Sequence, residues 1–242
     1  MRGMGGKCVR WLTGAAMAVL TAGGAGAAPP SVDIAVRLQL DPLSYDFSRD
    51  HRELKSLAQC ERPGTSGKYL GLSRSSVSTR FSTRLAVRPM GEAYTGDVIS
   101  MNVTLRLSGR TVYIASELPK GSCSFKETMA HEMRHVAVDE ELARMFQARL
   151  RAALDDILPS VTGVLGSTPQ DIKTTIEARL NHMLERELRE MRVMRSDRQA
   201  EVDSADEYLR LEESCGGETR SLIMDTEADD PGWHAPVACP PS

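Results

Sequence analysis

The chain has no CxxC pair, no surplus of basic residues and very few aromatic ones. Without CxxC, a redox function or a metal cluster built on paired cysteines has no support. With 30 Lys and Arg against 33 Asp and Glu, and a formal charge of -3, the phosphate contacts that dominate nucleic-acid affinity have no obvious source. Aromatic residues are only 5% of the 242, yet 41% are hydrophobic, enough to bury one core of moderate size or two small ones. The apolar stretch from Trp11 to Ala22 is too short to span a membrane comfortably. Proline and glycine are absent between Ser124 and Leu158, which leaves room for one long helix.

What is present begins with a secretory pattern. Arg2, Lys7 and Arg10 precede the apolar stretch, and Ala25-Gly26-Ala27 follows it as a small-residue cleavage site. Residues 1–27 therefore read as a signal peptide, and residues 28–242 as a single domain that is periplasmic or secreted, with no stable membrane span once the signal is removed. Losing those three basic residues takes the formal charge from -3 to about -6, again unsuited to nucleic acid. Cys60, Cys123, Cys215 and Cys239 then remain, an even number in an exported chain, so two disulfides are expected in any of three pairings.

Side chains alternate from Ser31 to Leu40, from Phe81 to Val87 and from Val98 to Leu107, the period of half-buried strands. Leu107-Ser108-Gly109-Arg110-Thr111 reads as a hairpin turn into a strand Thr111 to Ser116. A capping box at Ser124 and Glu127 opens a helix that ends near Leu158. Thr168 and Pro169 start a second, which continues to about Glu213 with Ile172, Ile176, Leu180, Met183, Leu184, Met191 and Met194 on its buried face. The fold expected is α+β: a small antiparallel sheet (28–120), a long antiparallel helical hairpin (121–215) and a tail (216–242) pinned through Cys239.

Residues 131–135 read His-Glu-Met-Arg-His. On a helix, positions i and i+4 share a face, so His131 and His135 can hold one zinc ion while Glu132 lies beside it as a base. Their i+3 and i+4 continuation into Val138, Leu142, Met145 and Phe146 turns that face inward. The bland alternative is a surface helix that carries these residues among its many charges.

Catalytic zinc usually takes a third protein ligand and leaves one position open. With the turn between the helices centred near residue 163, His131 and His135 face positions about 190–200 on the second helix. Counting 100° per residue from Ile176, Glu201 falls within about 20° of the apolar face and Glu190 within about 40°. Glu201 is the first choice, with Glu190 and Asp139 as rivals. Asp203 and Asp206 come back into play if the helix breaks before Tyr208. His182 falls off the buried face, and His51 and His234 have no partner nearby in sequence.

The run from Val112 through Gly121-Ser122-Cys123 into Glu127-Thr128-Met129-Ala130-His131-Glu132-Met133-Arg134-His135-Val136 resembles the zincin metallopeptidases, and more narrowly a bacterial family of secreted zinc-dependent proteases, over roughly residues 98–210. The resemblance implies His131 and His135 as zinc ligands and Glu132 as catalytic acid/base. It carries over neither the metzincins' third histidine nor a Glu-rich second motif, so the third ligand stays open. The function expected is an exported zinc-dependent peptidase acting on a peptide or protein substrate, with the edge of Thr111–Ser116 aligning the chain to be cut. The alternative is a non-catalytic exported binding or envelope-associated protein with a vestigial or structural metal site.

Overall fold

A computed structural model describes residues 32–61 and 69–222. The expected signal peptide, His234, Cys239 and the residues beyond 222 lie outside the described residues.

The sheet is built on one long strand. Strand β1 (Asp33–Leu40) and the short β2 (Ser44–Asp46) lead into helix α1 (His51–Glu61), then β3 (Gly71–Met90) turns at Gly91 into the spine, β4 (Ala93–Ile114). Gly91 has φ +65°, which a residue without Cβ adopts without penalty. β3 covers one edge of β4 from end to end, antiparallel. The other edge is shared in turn by β5 (Val164–Gly166) at Tyr94–Gly96, β1 at Ser100–Leu107 and β2 at Thr111–Tyr113.

The small antiparallel sheet is thus corrected: β1 and β2 pair with β4 in parallel, within a five-stranded mixed sheet. Alternation reports which face a side chain takes, not which way the strand runs. Direction follows from connections, and here α1 intervenes between β2 and β3, so β1 and β2 come to lie on the opposite edge of β4 from β3. The supposed turn at Gly109 is also not a turn. β4 runs straight through it, with Ser108 and Thr111 facing Ser76 and Arg74, so one extra residue is accommodated as a bulge. Gly109, at φ +63°, supplies the left-handed position such a bulge uses.

Helix α2 spans Cys123–Ile157 and α3 spans Pro169–Val202. Their expected arrangement as a hairpin is corrected too. A 3-10 turn (Leu158–Ser160) and β5 lie between them, and β5 returns the chain to the sheet edge, so each helix is laid against the sheet instead of standing apart. Leu142, Phe146, Leu150 and Leu154 of α2 and the Ile172-to-Met191 stripe of α3 pack against Ile34, Val98, Met101, Val103 and Leu105. A second cluster gathers Leu54 and Leu57 of α1 with Leu70, Val112, Ile114, Leu118 and Val136. Residues 131–139 sit where the two clusters meet.

Two helix ends differ from expectation. The N-cap of α2 is Ser122, accepting from the Phe125 amide, not Ser124; Ser124 is buried and donates to Glu218 at 2.9 Å. The second helix does not run to Glu213. It stops at Val202, with Asp203 as C-cap, and Ser204 caps a separate helix α4 (Ala205–Glu213). Asp206 and Glu207 in the first turn of α4 favour that restart against the helix dipole. Among the described residues no helix is long and apolar enough to cross a membrane.

Candidate metal centre

Each donor is positioned by a different local cause. α2 places His131 and His135 one turn apart, and both are buried. The break after Val202 turns Asp203 back over them. Its Oδ1 lies 3.0 Å from His135 Nε2 and 3.3 Å from His131 Nε2, and the two Nε2 atoms are 3.1 Å apart. An ion with ligands at about 2.0–2.1 Å in tetrahedral geometry needs donors about 3.3 Å apart. These three donors have the spacing of three corners of such a tetrahedron. His131, His135 and Asp203 form the metal-capable group found among the described residues.

The charges of these groups are coupled. Burial pushes the Asp203 carboxyl up, but hydrogen bonds from both imidazoles hold it well below the usual carboxylate range. For His135, burial disfavours the proton, yet Asp203 and Glu132 raise it above its ordinary value. Glu132 is buried, and burial pushes its carboxyl up to about 7 against the opposing pull of the imidazoles and the Ser73 backbone amide. A carboxyl balanced near neutrality can both take and return a proton.

Outer contacts orient the rings. His135 Nδ1 meets Gln199 Oε1, while Gln199 Nε2 donates to the His135 carbonyl at 3.1 Å and to Asp139 Oδ1 at 2.7 Å. With Nδ1 donating to Gln199, the ring is oriented so that Nε2, which bonds Asp203, is the nitrogen that offers a lone pair to an ion once its proton is lost. His131 Nδ1 lies 3.4 Å from Glu207 Oε1 on α4. Glu207 is drawn down to about 2, by Arg210 first and also by Arg134, and Tyr208 Oη donates to Asp203 at 3.3 Å.

The strand β3 forms the opposite wall. The Ser73 amide donates to Glu132, and a Cβ on Gly71 would stand 2.5 Å from Glu132 Oε1. Only glycine lets the backbone approach so closely. Together these elements enclose a cavity of about 620 Å³.

The carboxylates named from sequence fall differently. Glu201 is 70% exposed and pairs with Arg198 at 3.3 Å, and Glu190 pairs with Arg149 at the surface, so neither joins the group. Asp139 is buried, but Arg195 and Gln199 hold it as a support behind His135. His182 is exposed, and His51 bonds Glu117 at 2.6 Å. A helix regular through Asp203 aims that carboxyl elsewhere, but the helix ends at Val202. The signal that could have found it is Ser204-Ala205-Asp206-Glu207, a capping-box pattern that announces a new helix start.

A disulfide joins Cys123, at the start of α2, to Cys215, just after α4, and Arg210 of α4 reaches Glu127 at 2.8 Å. Cys60 is also disulfide-bonded. A disulfide of this kind is consistent with export. No family model, no curated protein and no solved structure matches the chain, and what the site can do must be read from its chemistry.

Proposed function

We propose that this protein is an exported zinc-dependent peptidase. The observation that carries the proposal is the convergence of His131 Nε2, His135 Nε2 and Asp203 Oδ1 at 3.0–3.3 Å from one another, beside a buried glutamate and within an open cavity. Two neutral imidazoles and one carboxylate suit zinc. When bound there, zinc supplies Lewis acidity, which polarises a carbonyl and makes a water more acidic.

The chain's own residues do the rest. Glu132 takes a proton from the attacking water and delivers it to the leaving amine. Gln199 and Glu207 hold the imidazoles in place. The substrate-aligning strand is β3, because Thr111–Tyr113 already pairs with β2 on one side and β3 on the other. β3 has no strand on its outer edge among the described residues, and Leu70 to Val77 border the cavity. An extended peptide can pair with that edge and bring its carbonyl to the site.

The test is Glu132→Gln in zinc-loaded protein. Peptide turnover should fall by roughly 10²–10⁴, the usual contribution of a general base, while zinc content stays at the wild-type level. Turnover that survives the change excludes Glu132 as base. Wild-type protein that binds zinc yet cleaves no peptide would leave the non-catalytic alternative.

A further inference from the structure

We propose that Arg192 recognises an acidic side chain of the substrate, so that this site selects peptides with a carboxylate about three residues from the bond cut; the assignment rests on the peptidase reading above. Helix α3 carries arginine at every third position from Arg186 to Arg198. Four of the five are committed: Arg186 to Glu187, Arg189 to Glu185, Arg195 to Asp139, and Arg198 to Glu141 and Glu201. Arg192 has no acidic partner among the described residues, and it lines the cavity. A guanidinium matches a carboxylate with two parallel hydrogen bonds, so an unpaired arginine on a cleft wall is suited to that group.

Its position along the cleft follows from the register of α3 on the sheet. Ile172, near the start of α3, touches Gly96, which pairs with Val87 of β3. Arg195, near the other end, reaches Ser75 at 3.1 Å. The helix therefore runs antiparallel to β3, and Arg192 lies one turn from Ser75 toward Val77. Gln199, which holds His135, is seven residues further on, about 10 Å along the helix axis. A peptide extended along β3 covers that distance in about three residues at ~3.3 Å each. Among the described residues, none of the cavity's acidic groups forms an ion pair with Arg192. Glu132 and Asp203 belong to the metal centre, and Glu212 is turned to Arg220 at 3.5 Å.

The experiment uses the full chain carrying Glu132→Gln, loaded with zinc, and fluorescently labelled neutral peptides in which one Glu, or its isostere Gln, is walked along the sequence. Anisotropy should show Glu binding roughly two- to fivefold tighter than Gln at one position, the size of an ion pair made by an exposed arginine. Arg192→Gln should abolish that preference, Arg192→Lys should keep part of it, and Arg189→Gln, a paired member of the same row, should keep all of it. Equal binding of Glu and Gln at every position, no binding of any peptide, or a preference that persists in Arg192→Gln overturns the assignment. Turnover by the wild-type chain judges the peptidase reading separately. Cleavage of neutral peptides without a Glu preference sinks only the role of Arg192, and an Arg192-dependent preference without any cleavage sinks only the hydrolytic chemistry.

Discussion

At the scale of single residues, the centre is supported by three side chains outside the donor group and by one missing side chain. Gln199 accepts from His135 Nδ1 and donates to Asp139, which Arg195 holds in turn. Gln199→Leu leaves that ring free to rotate, and zinc affinity should fall by about 10–100-fold in a competitive chelator titration, as for other outer-shell changes. Unchanged affinity would mean that packing alone orients His135. Gly71 acts through its bareness: a methyl there collides with both Glu132 and Thr128. Gly71→Ala should therefore lower peptide turnover by displacing the base while zinc content is retained. A variant with full turnover would show that Glu132 is not confined by β3.

At the scale of elements, α4 is the part that completes the centre and the part least supported by the apolar core. None of its residues is buried; it is held by Arg134–Glu207, Arg210–Glu127 and the Cys123–Cys215 link. The link closes a separation of 92 residues, and such crosslinks typically contribute about 2–4 kcal/mol. Cys215→Ser should lower Tm and also weaken zinc binding, because Asp203 sits on the linker that α4 anchors. Loss of Tm with zinc affinity intact would show that Asp203 is placed by α3 alone. Another contact joins α1 to the loop before α2, where Glu117 accepts from both the ring and the amide of His51. Burial pushes Glu117 up, but these hydrogen bonds outweigh it and leave the carboxyl below its ordinary value. A carboxyl depressed in the folded state adds stability above its unfolded pKa of about 4.3, and that increment is lost as pH falls through the folded value. Glu117→Gln should thus cost about 1 kcal/mol or less at pH 6, and the difference from wild type should shrink below pH 4. A difference that is constant with pH would assign the cost to packing.

The elements also mark where sequence reasoning worked and where it stopped. Thr168 and Pro169 announced the start of α3, and Thr168 with Asp171 does form its capping box. Of the expected inward stripe, Ile172, Ile176, Leu180, Met183, Leu184 and Met191 are buried, and Met194 is half-buried. Local signals of this kind are carried by a few neighbouring residues. A charged run without proline or glycine reads as continuous helix, so a break before Tyr208 stands in the sequence only as an alternative, although Ser204 and Glu207 mark the restart. A regular wheel puts Glu201 first, whereas the turn at Asp203 brings that carboxyl inward and leaves Glu201 exposed.

At the scale of the whole molecule, the parallel pairing of β1 and β2 with β4 was not legible, since strand direction is decided by partners some 65 residues away in sequence. The arrangement sets one metal-capable group between two apolar clusters, so ion binding and folding should be coupled. The carboxylate that completes that group decides what the site can hold. The most direct measurement is zinc stoichiometry and affinity for the wild-type chain, Asp203→Ala and Glu201→Ala, by elemental analysis and chelator competition. The geometry predicts about one zinc per wild-type chain, wild-type behaviour for Glu201→Ala, and for Asp203→Ala a loss larger than the roughly 10–100-fold of an outer-shell change. Zinc held as tightly by Asp203→Ala as by the wild type, or no zinc bound by the folded wild-type chain, would contradict it.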